Sequence, residues 1–125
     1  MKLKIKITYE VLTTTRMCGI DDFMLEDSEN CSKSGNCAIT YACRKLFTGC
    51  VTGEDAIYLE SGDIIANLPK IAGDFIKKFD KAIPEQRVKM KPFEFEIELT
   101  KEALDLITID EITKVLETST TLEIV

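Results

Sequence analysis

Histidine is absent from the chain. With it go the commonest general base near neutral pH and the commonest metal ligand. Ser-His-Asp and Cys-His catalysis therefore cannot be assembled within this chain. No Cys-x-x-Cys pair occurs among Cys18, Cys31, Cys37, Cys43 and Cys50, so zinc-knuckle and thioredoxin-type chemistry lose their usual signature. The odd number of cysteines argues against a disulfide framework. No glycine-rich phosphate loop is found. No apolar run approaches the roughly 20 residues that span a bilayer. The opening Met1–Val11 lacks the apolar block of a signal peptide. These absences lead to the expectation of a cytoplasmic, non-enzymatic protein with no catalytic residue, no metal, no cofactor and no membrane partner.

What remains is the composition of an ordinary globular domain. A chain of 125 residues buries about two-thirds of its unfolded surface on folding. The net charge of −6 is unevenly distributed: residues 1–91 carry +1 and residues 92–125 carry −7. The acidic end argues against broad nucleic-acid affinity but leaves room for a local basic patch.

Periodicity supplies the elements. Leu3, Ile5, Ile7, Tyr9 and Val11 alternate with Lys2, Lys4, Lys6, Thr8 and Glu10, predicting a strand over 2–11. Residues 13–35 have no clear period and hold an acidic run, Asp21–Glu29, which reads as a long loop with one helical turn around Phe23–Leu25. A helix is expected over Cys37–Phe47, capped by Asn36 and ended by Gly49. Its apolar face is Ile39, Ala42, Cys43, Leu46 and Phe47; Cys37, Tyr41, Arg44 and Thr48 lie opposite. Short strands follow at 50–52, 56–59 and 63–66. A second helix over Leu68–Lys81 has Asn67 as its expected cap, Pro69 in its first turn, Leu68, Ile71, Ala72, Phe75, Ile76 and Phe79 on its inward face, and Asp74 placed to pair with Lys70 and Lys78. Pro84 opens a loop. Phe93, Phe95, Ile97 and Leu99 alternate with glutamates whose charge would complement the lysines of the first strand if the two paired. Residues 101–117 read as helical with a break near Thr108, where Thr108–Glu111 matches a capping box, and 120–125 can form a strand. The expected class is α+β: a mostly antiparallel sheet with two helices on one face in ferredoxin-like βαββαβ order, over residues 1–99, with residues 100–125 as a C-terminal extension.

Asn36-Cys37-Ala38-Ile39, Ala42 and Arg44-Lys45 resemble the Cys-Pro-Ile-Ala helix start of a family of small bacteriophage and mobile-element proteins. The resemblance continues through Leu68-Pro69, Ala72, Phe75-Ile76, Phe79-Asp80, Val88 and Pro92-Phe93-Glu94-Phe95, covering about residues 31–99. Ala38 departs from the proline of that pattern, Lys81-Ala82 stands where a glycine is usual, and residues 100–125 run past its usual end. The resemblance implies an accessory protein of a phage or mobile element, in the host cytoplasm. It implies no activity and brings no catalytic residue.

Five features of the sequence carry candidate chemistry. Cys37, in a first helical turn, could be a thiolate, but no base accompanies it, and a small packing residue is the plainer reading. The start of the first helix, at Asn36 and Cys37, could hold a phosphate while Tyr41 stacks on a base and Arg44 and Lys45 add charge; the plainer reading is a solvated face. Lys70, Lys77, Lys78, Lys81, Arg87, Lys89 and Lys91 form a basic run that could meet phosphate or an acidic protein, or could be solvated. Spacings of six, six and seven among Cys31, Cys37, Cys43 and Cys50 match no zinc loop. The stripe Ala103, Leu104, Ile107, Ile109, Ile112, Val115 and Leu116 could mediate self-association into a homo-oligomer or pack on its own sheet. The resulting expectation is an anti-defence protein that sequesters an anionic nucleotide-like signal through Asn36, Cys37, Tyr41, Arg44, Lys45, Lys77 and Lys78. One alternative is inhibition of a host defence protein through acidic surfaces. Others are a nucleic-acid-binding phage protein, or an enzyme using Cys37 or a carboxylate pair.

Overall fold

The computed structural model describes residues 1–17, 38–43, 45–47, 49–59 and 61–125. The expected loop Asp21–Glu29 and the helix-start residues Asn36 and Cys37 lie outside them, as does Arg44.

The first strand, β1 (Lys2–Ile7), keeps the expected alternation: Leu3, Ile5 and Ile7 are buried, while the intervening lysines face outward. It is shorter than expected. Thr8 ends it by capping a helix, α1 (Tyr9–Thr14), its hydroxyl accepting from the Val11 N–H at 3.2 Å. Val11 and Leu12 then turn into the core, and the Thr15 hydroxyl donates to the Val11 carbonyl at 2.8 Å. The alternation through Tyr9 and Val11 disguised this switch, because Val11 is apolar in either geometry.

Helix α2 (Ala38–Cys43) is followed by strands β2 (Val51–Thr52), β3 (Ala56–Tyr58) and β4 (Ile64–Asn67). These three form one antiparallel sheet in the order β2-β3-β4. Helix α2 ends at Cys43, short of the expected Phe47: the Leu46 and Phe47 N–H groups donate to the Cys43 carbonyl in a turn, and Gly49, at φ +79°, lies beyond that turn and before β2 rather than at the helix end. Helix α3 (Lys70–Lys81) starts one residue after Pro69, whose carbonyl accepts from the Ala72 and Gly73 N–H groups. Asn67 is the last residue of β4 and does not cap the helix. Gly73 is required by close approach: a Cβ there would sit 2.8 Å from the Glu54 carbonyl oxygen. The expected loop at Pro84 is a helical turn, α4 (Pro84–Arg87), with the Gln86 amide oxygen accepting from the Ile83 N–H at 3.1 Å.

Strand β5 (Phe93–Glu98) pairs antiparallel with β1, setting Lys2 opposite Glu98, Lys4 opposite Glu96 and Lys6 opposite Glu94. The complementary ladder expected from the sequence is present, with Lys4 3.5 Å from Glu94. Helices α5 (Lys101–Leu106) and α6 (Ile109–Thr118) are separated at Thr108, whose hydroxyl accepts from the Glu111 N–H at 3.1 Å. Strand β6 (Leu122–Ile124) pairs with the free side of β1, Leu122 opposite Ile5 and Ile124 opposite Leu3.

The protein is thus α+β with antiparallel pairing throughout, but its strands form two three-stranded sheets, β5-β1-β6 and β2-β3-β4. They meet at a bridge between Ala66 and Leu99, and the Thr100 N–H donates to the Ile65 carbonyl at 2.9 Å. In the ferredoxin-like arrangement the second side of β1 would take an internal strand. Here β6 occupies it, presenting Leu122 to the buried face. Residues 100–125 therefore belong to the same core: Ala103, Ile112 and Leu122 are buried beside Leu3, Ile5 and Ile7.

Candidate functional site

Of the residues expected to bind a ligand, Tyr41, Lys45, Lys77 and Lys78 are described, and they fall in two places. Helix α2 has six residues, of which Ala38, Ile39, Thr40, Ala42 and Cys43 are buried. It packs on β1, α1 and β2. Of the face expected to be solvated, Tyr41 is the residue described. Thr40 donates to the Thr52 hydroxyl at 2.6 Å, and the Thr121 hydroxyl donates to the Ala42 carbonyl at 3.0 Å, fastening the C-terminal segment over the helix. Tyr41 is half-buried against the core and Lys45 is exposed. Both line a pocket of about 100 Å³ with Thr8, Glu10, Ser119 and Thr121. That volume falls below the about 300–1,000 Å³ of small-molecule sites. The Glu10 carboxylate offsets the Lys45 charge, so the pocket favours neither a nucleotide nor a free anion.

The other two lysines lie on α3. Lys77 reaches Glu54 at 3.8 Å, an exposed pair of small energetic weight. Among the described residues this contact replaces the expected pairs of Asp74 with Lys70 and Lys78. Lys78 borders a groove of about 430 Å³ between α3 and the start of β5. The expected inward face of α3 explains how the groove arises. Ala72, Phe75, Ile76 and Phe79 are buried as their spacing requires. Ile71, expected among them, is 54% exposed, because the chain at Met90–Phe93 passes beside the helix and leaves the groove open. Phe75 forms the floor, its ring 4.8 Å from that of Phe93, and Met90 and Pro92 complete the apolar lining. Lys78 and Lys91 carry positive charge at the rim, facing one carboxylate, Asp74.

Arg87 leaves the expected basic run. It is buried, with its guanidinium 4.2 Å from the Phe79 ring centre. Its Nε donates to the Phe79 carbonyl at 2.9 Å, and another guanidinium nitrogen donates to the Arg16 carbonyl at 3.0 Å. Burial pulls its pKa down while the nearby Asp80 opposes that shift. Burial also raises the Asp80 pKa, with Arg87 acting in the opposite direction. This cation fastens the end of α3 to the end of α1. A ligand-binding role is not what its partners describe.

Cys43 and Cys50 are buried, and Cys18, Cys31 and Cys37 lie outside the described residues. Among the described residues no group of three or more carboxylates and cysteines converges as a metal site. Among them, too, no helix is long and apolar enough to cross a membrane. The C-terminal stripe mostly packs inward: Ala103 and Ile112 are buried, Leu104, Ile107, Val115 and Leu116 are partly covered, and Ile109 is exposed. No protein-family model, curated protein or solved structure matches the chain.

Sequence reasoning found Lys78 but not the groove. Phe75 and Phe93 read as core residues, and only the path of residues 88–93 leaves them, with Met90, lining a hollow. The available signal was the Lys91-Pro92-Phe93 step, where a cation adjoins the first apolar residue of a strand.

Proposed function

We propose that this protein is a non-enzymatic binding protein that holds an anionic, ring-bearing small molecule in the groove between α3 and β5. The observation that carries this reading is the pairing of an aromatic floor, Phe75 and Phe93, with the two rim lysines, Lys78 and Lys91. A planar ring gains dispersion and hydrophobic contact on the floor. An anionic group gains from two cations at the edge of a low-dielectric wall. A nucleotide joins both features in one molecule. The resemblance to phage and mobile-element proteins gives the setting: an accessory protein that sequesters a nucleotide-like signal of host defence. The binding surface moves from the α2 face, as first expected, to α3 and β5, with Lys78 common to both.

Calorimetry with nucleoside monophosphates at low ionic strength tests the reading. Wild-type protein is expected to bind and to return the ligand chemically unchanged. Lys78→Gln and Lys91→Gln are each expected to weaken binding by about tenfold. No heat with any nucleotide, or binding by both variants as tight as that of the wild type, overturns it.

A second reading is favoured by the surface of α5 and α6. Leu106 and Ile109 are 59% and 60% exposed and are surrounded in sequence by Glu102, Asp105, Asp110 and Glu111. An apolar knuckle among carboxylates suits a basic-rimmed pocket on a host protein, the inhibitor alternative. Leu106→Ser with Ile109→Ser would abolish inhibition of such a target without changing nucleotide binding.

A further inference from the structure

A second hollow adjoins the groove. It also measures about 430 Å³ and is lined by Lys6, Ile7, Thr8, Tyr9, Pro92, Phe93 and Glu94. Pro92 and Phe93 belong to both hollows, so they form the ridge between them. On the far side from α3 stands Tyr9, 64% exposed and the most exposed large apolar side chain among those described. Its position is set by the Thr8 cap, which turns the chain from β1 into α1.

The charges of the two hollows differ. In the second, Lys6 is bound to Glu123, and Glu94 is 3.5 Å from Lys4. These four side chains cancel, leaving a near-neutral hollow suited to a ring but not to a free phosphate. Around the groove, the described lining sets Lys78 and Lys91 against one carboxylate, Asp74. Lys91 immediately precedes Pro92 and so lies at the ridge. Together the arrangement is ring surface, cation, ring surface: Phe75 with Phe93 on one side, Lys91 at the divide, Tyr9 on the other.

We propose that the two hollows form one bipartite site for a ligand carrying two planar bases joined through phosphate, one base on either side of the Pro92–Phe93 ridge, with the linking phosphate at Lys91. This rests on the groove reading and extends it from a single nucleotide to a dinucleotide unit. Stacking on exposed aromatic side chains accepts any base, because every base has a π-face. Selectivity would therefore lie in the number of rings and the position of the phosphate rather than in base identity. The same chemistry can come from a free dinucleotide, linear or cyclic, or from two successive nucleotides of a single strand.

Titration of the full chain with adenosine monophosphate, linear diadenylate, cyclic diadenylate and a 16-nucleotide single strand tests the proposal. At least one dinucleotide is expected to bind about ten- to a hundredfold more tightly than the mononucleotide, the gain of one added stacking surface. Tyr9→Ala should bring dinucleotide affinity down to the mononucleotide level and leave mononucleotide binding unchanged. Lys91→Gln should weaken both. Equal affinity for one and two bases, or indifference of dinucleotide binding to Tyr9→Ala, overturns the bipartite site while the groove reading stands. No binding of any probe overturns both. If the single strand binds with a stoichiometry of several chains and outcompetes the free dinucleotides, the bipartite site is upheld with a strand as its source. Thermal melts of each variant confirm that the fold is retained; Tyr9 and Lys91 are exposed, so the midpoints should match wild type.

Discussion

Arg87 shows at the scale of one residue how a charge can be structural. Its sequence neighbourhood, Gln86-Arg87-Val88-Lys89, suggests one more solvated cation. Its burial follows instead from two carbonyls, at Phe79 and Arg16, the second 71 residues away in the chain. No local pattern encodes such a partner. Truncation to Arg87→Met keeps much of the apolar contact with Phe79 but removes donors from both carbonyls. The expected loss is about 2–4 kcal/mol, within the range for breaking a buried polar network, read by urea unfolding at pH 7. Arg87→Lys should recover little, since an ammonium lacks the planar fork that reaches two acceptors while covering a ring. An Arg87→Met loss below about half a kcal/mol would show that the bonds are dispensable. The adjacent Asp80 adds a signed pH effect. Its pKa is raised in the folded protein, first by burial, so folding favours its protonated form. The contribution is fully present below the ordinary carboxyl pKa and is lost as pH rises through the raised value. Asp80→Asn should therefore gain on wild type across that rise, the two stability curves converging in stronger acid.

Elements were legible where a single periodicity ran undisturbed. The alternation of β1 and β5, the spacing of Ala72, Phe75, Ile76 and Phe79, and the break at Thr108 all follow from side chains that need only local geometry. Reading failed where two geometries share the same apolar positions. Val11 suits a strand and a helix alike, and it was the Thr8 hydroxyl that decided between them. It failed again where an apolar position on a regular face met no partner, as at Ile71. The groove was illegible for that reason: it is the gap left by packing, lined by residues that would otherwise be core. The caps allow a direct test of the local part. Thr108→Ala removes the hydroxyl that satisfies the Glu111 N–H and should cost about 1 kcal/mol. The loss should appear as faster amide exchange in the first turn of α6 with β1 and β5 unaffected. Uniform exchange changes across the sheet would mean that α6 is not a separately fraying unit.

For the whole molecule the decisive pairing is that of β6 with β1. Sequence order suggested a core complete by Leu99, because the strands and helices up to that point make a closed α+β set. The structure places β1 in the middle of its sheet only when β6 is present, and Lys6 binds Glu123 across that pairing. The hydrogen bond from Lys6 holds the Glu123 carboxyl below its usual pKa. Folding thus favours the ionised form, and this contribution is present above the ordinary carboxyl pKa and lost as pH falls through the lowered value. The larger contribution is apolar. Ile112 and Leu122 are each 1% exposed or less, and burial of such side chains is worth about 1.5–3 kcal/mol each. Together they approach the lower end of the about 5–15 kcal/mol that holds an average domain together. Their loss would also uncover Leu3 and Ile5 along β1. A chain ending at Thr100 should therefore lack a cooperative thermal transition and bind a hydrophobic dye, while Leu122→Ala in the full chain should cost about 2–4 kcal/mol and keep the transition two-state. If residues 1–100 instead unfold cooperatively with the full chain's near-ultraviolet signal, then β6 is an addition to a finished core. The groove and the second hollow, built from residues 6–94, would in that case function without it.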